Sequence, residues 1–277
     1  MIDRLARPDA RGGDTLIGSP QHLEYLLRLA DNALVLGQRL AAWCGHGPVL
    51  EEDLALANVA LDLIGQARLL LAHAARVEGK GRDEDELAFL REVDEFRNLT
   101  MLELPNDFVL DAGAGGLDFA VAVVRNFLFS SFQALQWQSL TSSTDDELSS
   151  IAMKSLKEAR YHEDHAAEWL ARLGDGTGES RRRAQRALDM LWPYSNEFFI
   201  VDEVDRAMAE CGIGVDPSSL EAAWREGVVA VLQRATLDEP LRSTMKSAGK
   251  FGAHSEHLGD LLMEMQFLQR AYPGGSW

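Results

Sequence analysis

Cysteine is almost missing from this chain of 277 residues: Cys44 and Cys211 stand far apart, outside any CxxC spacing. That excludes a disulfide framework and leaves two buried or idle thiols, as in a reducing compartment. Positive charge is also scarce, with 27 Lys and Arg against 44 Asp and Glu, for a formal net charge of −17. A surface this acidic cannot neutralise a phosphate backbone, so nucleic-acid binding is excluded. Long hydrophobic runs are missing too. The most apolar stretch, LDFAVAVVRNFLF, is interrupted by Asp118, Arg125 and Asn126, and no run reaches the length of a membrane span. The first twenty residues lack the apolar centre of a signal peptide. A cytoplasmic chain without nucleic-acid or membrane partners is expected. Strand alternation, internal repeats and low-complexity tracts are absent as well. The glycines at 113, 115 and 116 follow no strand and do not read as a phosphate loop. Ser130 and Ser131 lack a nucleophile elbow.

What is present is helical periodicity. Ser19 followed by Pro20 reads as an N-cap and a first helical position. The pattern predicts long helices over about 19–43, 50–77, 117–141 and 144–172, with Thr144 to Glu147 as a capping box. Apolar residues wrap much of the circumference of the second, which predicts a mostly buried helix. A shorter helix is predicted at 84–97, and further helices at 179–191, 194–211, 217–236 and 256–271. The reading is an all-α four-helix bundle over about 19–173, with additional C-terminal helices over about 179–277 in one domain and a flexible leader over 1–18. Five tryptophans, at 43, 137, 169, 192 and 224, fall at packing phases. The loop between about 239 and 259 is the one long irregular stretch, and Lys246, Gly249 and Lys250 mark it as a partner or anion contact.

Two stretches carry the outline of a metal motif: ALDLIGQAR at 60–68 and KEARYHEDH at 157–165. A bundle can hold two metals with a carboxylate from each of two helices and a Glu-x-x-His pair from each of the others. Residues three apart share a helical face, so both side chains point at one metal. Here the phase is right and the residues are Leu63 and Gln66, then Ala159 and His162. Leucine and alanine cannot ligate, glutamine is a weak neutral donor, and only His162 is a good ligand. Two readings follow. One is a hydrogen-bonded network of Asp31, Asn32, Asp62, Gln66, Arg68, Glu158 and His162, with no metal and no catalytic residue in the chain. The other is a reduced ligand set of Asp62, Glu158 and His162 around one metal. A further cluster, His254, Glu256, His257 and Asp260, reads as helix-start and loop contacts more readily than as a metal site.

LADNALVLGQRLAAWCGHGP, LALANVALDLIGQAR, KEARYH, WLARLG, GIGVDP and the closing AGKFGAHSEHLGDLLMEMQFLQRAYPGGSW together resemble the C-type structural subunits of bacterial phenylacetyl-CoA oxygenases. Those subunits are similar in fold to the ferritin-like di-iron oxygenases. The resemblance covers nearly the whole chain after the leader. It implies a homologous catalytic partner whose matching stretches read like DEAGH and KEESFH. Against that pattern Glu becomes Leu63, His becomes Gln66, Glu becomes Ala159, and His162 is kept; the lone carboxylates would fall near Leu34 and Ser130. The resemblance thus implies a non-catalytic scaffold with no cofactor of its own. The di-iron centre would sit in the partner, and NADPH, flavin and an iron–sulfur cluster in a separate reductase. The complex would epoxidise the ring of phenylacetyl-CoA. Its apolar helix faces also predict that the chain self-associates when alone. The rival expectations are a metal-dependent oxygenase in its own right and a CoA-ester binding module.

Overall fold

The computed structural model describes residues 16–108 and 117–275. Most of the expected leader (1–15) and the glycines of the 109–116 connection lie outside the described residues.

Helix α1 (Pro20–Ala41) starts where Ser19 Oγ accepts the amide of His22 at 3.1 Å, with Pro20 in the first turn. Helix α2 (Leu50–Glu78) ends at Gly79, whose φ of +66° is the left-handed conformation that closes helices at low cost. After the short helices α3 (Glu84–Phe89) and α4 (Thr100–Glu103) come the two other long helices, α5 (Phe119–Leu140) and α6 (Asp146–Gly174). The remainder is α7 (Gly178–Leu191), α8 (Glu203–Glu210), α9 (Glu221–Arg234) and α10 (Glu256–Ala271). Helix α1 packs along α2, α5 along α6, and α2 meets α6, so two hairpins make the four-helix bundle. Gly37 permits the close approach of α1 to α2: a Cβ there would stand 3.2 Å from Ile64 Cγ1 and 3.3 Å from the Ala60 carbonyl. Helices α7 and α9 cover the α5–α6 hairpin, α8 lies on α1, and α10 lies on α3 and α4. No strand occurs among the described residues, and the fold is all-α with a ferritin-like bundle and appended C-terminal helices.

Helix boundaries depart from expectation at four places. The cap of α6 is Asp145, one residue after Thr144; its Oδ1 accepts the amides of Glu147 and Leu148 at 2.9 and 3.0 Å. Thr144 is instead tied to the end of α8 through the Gly212 and Cys211 carbonyls. The 84–97 helix stops at Phe89, and a 3₁₀ turn (Val93–Glu95) follows. Arg91 turns inward there, bonding the carbonyls of Leu87 and Glu95 and pairing with buried Asp31. The 194–211 helix divides into a 3₁₀ segment (Trp192–Phe199) and α8, because Asp202 caps α8 through the Asp205 amide. Likewise 217–236 begins as a 3₁₀ turn (Pro217–Leu220), with Asp216 accepting the Ser218 amide, before α9.

Helix α2 is not mostly buried. It is long and apolar enough to cross a membrane by length and composition, yet it packs along α1 while Leu50, Leu54 and Leu61 remain 70, 57 and 65 % exposed. Four of the five tryptophans are in the core and Trp169 packs against it. Cys44 is exposed and Cys211 half-buried, and both are free thiols.

Candidate functional site

Helix α2 faces α6 across the bundle, and the residues of both outlined motifs lie in this seam. Leu63, Gln66, Ala159 and His162 are each buried to within 1 %. Their neighbours make two hydrogen-bonded groups. In the first, Gln133 Nε2 on α5 donates to Gln66 Oε1 at 3.2 Å, and Gln66 Nε2 donates to Glu158 Oε2 at 2.9 Å. Lys154 then stands 3.5 Å from the other oxygen of Glu158. A glutamine suits this place because one side chain both accepts and donates. In the second, His162 Nε2 lies 3.1 Å from Asp62 Oδ2. Burial lowers the His162 pKa below its ordinary value, against the opposing pull of Asp62 and Glu158 and with the help of His165.

The structure does not bring the rest of the expected network here. Asp31 is held by both terminal nitrogens of Arg91, one at 3.0 Å, and by the Arg97 amide at 2.8 Å. Asn32 Oδ1 accepts the Leu99 amide at 2.8 Å. Both residues therefore anchor the 91–99 segment to α1. Arg68 is exposed and reaches Glu84 at 3.4 Å, and Arg160 donates to Gln138. Leu34 and Ser130 are buried; Ser130 Oγ donates to the Asn126 carbonyl of its own helix at 2.6 Å.

Two more pairs bridge α2 and the α6 segment, and sequence reasoning singled out neither. His165 Nε2 lies 3.0 Å from Glu52 Oε2 near one end. At the other, Asp145 Oδ2 lies 2.6 Å from His73 Nε2 and 2.9 Å from His22 Nε2, all three residues being buried. Burial alone would raise the Asp145 pKa, but the hydrogen bonds from His22, His73 and the Leu148 amide outweigh it and hold the carboxyl below the usual carboxylate range. Two histidines and a carboxylate are a possible metal donor set, but the protons argue otherwise. The Gly18 amide points at His22 Nδ1 at 3.2 Å, which places the proton of the neutral ring on Nε2, facing Asp145. His73 Nδ1 lies 3.2 Å from Glu147 Oε2, so both its nitrogens face carboxylates. The group acts as a clamp joining α1, α2 and α6. The only sequence signal for it was the acidic first turn of α6.

His254 and His257 do not share a ligand. His254 Nδ1 lies 2.8 Å from Glu103 Oε2 and its Nε2 lies 2.9 Å from the Phe96 carbonyl. Burial lowers the His254 pKa, but the bonds to Glu103 and Phe96 outweigh it and raise it overall. His257 lies edge-on to Phe108. Lys250, expected as a partner contact, is buried: its Nζ donates to the Ile200 carbonyl at 2.7 Å and to Asp205 at 2.5 Å. Gly249 is buried as well, its amide on Thr100 Oγ1. A surface cleft of about 710 Å³ between α3 and the end of α10 is lined by Phe89, Leu90 and Tyr272 with Asp83, Asp85 and Glu86. Its lining sets three carboxylates against one cation, Arg270, the wrong balance of charge for the phosphates of a CoA ester.

Residues 16–277 match the family model described as "Phenylacetic acid catabolic protein". Among characterised proteins, the chain is similar to the C-type subunit of the 1,2-phenylacetyl-CoA epoxidase of Escherichia coli (strain K12). The two are 46 % identical over 253 residues, covering 91 % of this chain and 98 % of the relative.

Proposed function

Because the chain belongs to the phenylacetic acid catabolic protein family, we propose that it is a subunit of the multicomponent oxygenase that epoxidises the ring of phenylacetyl-CoA, and that its part is structural. It acts in the cytoplasm beside a homologous subunit that holds the di-iron centre, with NADPH electrons delivered by a separate reductase. Residues 19–277 serve as one domain in this role.

The observation that carries the reading is the chemistry of the α2–α6 seam. Two irons need carboxylates and histidines converging from four helices. At the motif positions this chain has Leu63, Gln66 and Ala159. The donors nearby are already committed, Glu158 to Gln66 and Lys154, and His162 to Asp62. The residues present do not fit the centre. They fill its place with packed side chains, hydrogen bonds and the Lys154–Glu158 pair, so α2 and α6 stay together without metal charge.

The test is reconstitution. The chain produced in iron-replete medium should carry far less than one iron per molecule by elemental analysis. Added to the catalytic subunit and reductase, it should raise phenylacetyl-CoA-dependent NADPH oxidation without turning over substrate by itself. Stoichiometric iron that disappears in His162→Ala would overturn this reading in favour of a metal-dependent oxygenase.

A further inference from the structure

A single buried ion pair pins the turn that leads into α10. His254 Nδ1 lies 2.8 Å from Glu103 Oε2 and its Nε2 lies 2.9 Å from the Phe96 carbonyl, so both ring nitrogens face acceptors. A neutral imidazole has one N–H and would leave one of these acceptors without a partner, whereas the imidazolium satisfies both. Glu103 sets the same demand from the other side. Its carboxylate accepts the Asn98 side-chain amide at 2.9 Å and the Ser255 amide at 2.5 Å, which suits the ionised form. The side chains of His254 and Glu103 are 1 % and 0 % exposed, and a buried carboxylate is costly without a cation beside it. The other cations nearby are turned elsewhere. Arg91 pairs with Asp31, Arg97 with Glu24, and Arg39 donates to the backbone carbonyls of Glu103 and His257.

We propose that this pair is a pH-sensitive latch: His254 is held as the imidazolium, and its deprotonation on the alkaline side releases the 252–256 turn from α4 while the bundle stays folded. The release is local because other groups hold the chain on both sides. Upstream, Glu197 accepts the Lys250 amide and the Ser247 hydroxyl, the Gly249 amide donates to Thr100 Oγ1, and Lys250 Nζ reaches Asp205. Downstream, fully buried Leu258 keeps α10 in place. Burial opposes the charge on His254, but Glu103, the Phe96 carbonyl and Asp31 on α1 outweigh it. The closed turn therefore binds the proton more tightly than the open one. Closure is fully stabilised below the ordinary histidine value of about 6.5 and is lost as pH rises through the raised value, by about tenfold per pH unit between the two. Lys250 also titrates on the alkaline side, its pKa lowered by burial against the pull of Asp205. Its deprotonation would loosen the upstream part of the turn, and a variant at 254 separates the two.

Hydrogen exchange of the full chain between pH 6.5 and 9 tests the latch, read as protection factors, which divide out the intrinsic pH dependence of exchange. In the wild type the Ser255 amide and its neighbours should lose protection about tenfold per pH unit before levelling off, while α5 stays unchanged. In His254→Gln, which cannot carry the charge, these amides should be as poorly protected at pH 6.5 as those of the wild type at pH 9. His257→Gln should keep the wild-type profile. Nitrogen-15 NMR of the histidine-labelled wild-type chain reads the proton itself: His254 should carry protons on both ring nitrogens at pH 6.5 and titrate above the ordinary value. A midpoint at or below about 6.5, wild-type protection that does not change with pH, or a folded His254→Gln as well protected as the wild type at pH 6.5 would overturn the latch. None of these results touches the epoxidase reading, which is scored by reconstituted activity.

Discussion

His162 is the one good metal ligand among the four outlined motif positions, and in the fold its ring is turned to Asp62. It is buried and lies against Asp62, with Glu158 and His165 also near. Its pKa in the folded chain is lowered, burial being the largest cause. Between the unfolded value of about 6.5 and the folded one, the unfolded chain binds a proton that the folded chain refuses. Stability contributed by His162 is therefore present above the unfolded value and is lost as pH falls. The wild-type chain should lose more stability between pH 7.5 and 5.5 than His162→Gln does, measured by urea unfolding at each pH. Equal losses would mean that His162 titrates as it does in water. Sequence spacing was enough to place Leu63, Gln66, Ala159 and His162 in the bundle interior, because helical phase is a local property. It could not show that Asp31 turns to Arg91, since that pair spans 60 residues and forms only when the 84–97 segment breaks. The same holds for Lys250: a cation in an irregular loop looks like a surface group until Asp205 and the Ile200 carbonyl enclose it.

Among the helices, α2 and the α6 segment are joined by polar pairs over much of their length. In order along α2 these are Glu52–His165, Asp62–His162, Gln66–Glu158 and His73–Asp145. Three of the four use a histidine. Apolar packing along α1–α2 and α5–α6 holds each hairpin, while these pairs set the register between hairpins. The last pair also caps α6, so one carboxylate serves a helix end and two histidines from two other helices. Asp145→Asn keeps an oxygen for the cap and removes the charge that His22 and His73 face. It should cost about 3 kcal/mol, in the range for breaking a buried charged pair, whereas Asp145→Ser, which can cap but cannot reach both rings, should cost at least as much. Urea unfolding decides; a loss under 1 kcal/mol for both would show that the histidines find other partners. Helix positions and most of their ends were legible because caps and breakers act locally, as at Ser19 and Gly79. The breaks at 90 and 200–202 were not, because there side chains from distant segments take over the backbone groups that a continuous helix would use.

Across the whole molecule, the C-terminal third is fastened to the bundle by buried polar groups as well as by apolar area. Arg28 on α1 binds Asp202 and Asp205 ahead of and within α8, and Lys250 closes on the same Asp205. Burial raises the Asp205 pKa and lowers that of Lys250, each against the pull of the other. Glu197 accepts the Thr100 and Lys250 amides at 3.0 and 2.8 Å and the Ser247 hydroxyl at 2.7 Å. At the far end, a Cβ on Gly174 would stand 1.8 Å from the Ala235 carbonyl, so α6 ends directly on the turn after α9. A C-terminal unit that folded separately would take Asp202 and Asp205 from Arg28, His254 and the Ser255 amide from Glu103, and the Thr100 amide from Glu197, at roughly 1–3 kcal/mol for each buried group left short of a partner. The bundle and the C-terminal helices should therefore unfold together. Scanning calorimetry should give one transition whose calorimetric and van't Hoff enthalpies agree. Lys250→Met, which removes the cation and leaves Asp205 buried beside it, should lower the midpoint of that transition without splitting it. Two resolved transitions in the wild-type chain would instead make the C-terminal helices a domain of their own, and the polar contacts to α1 and α4 an interface between domains.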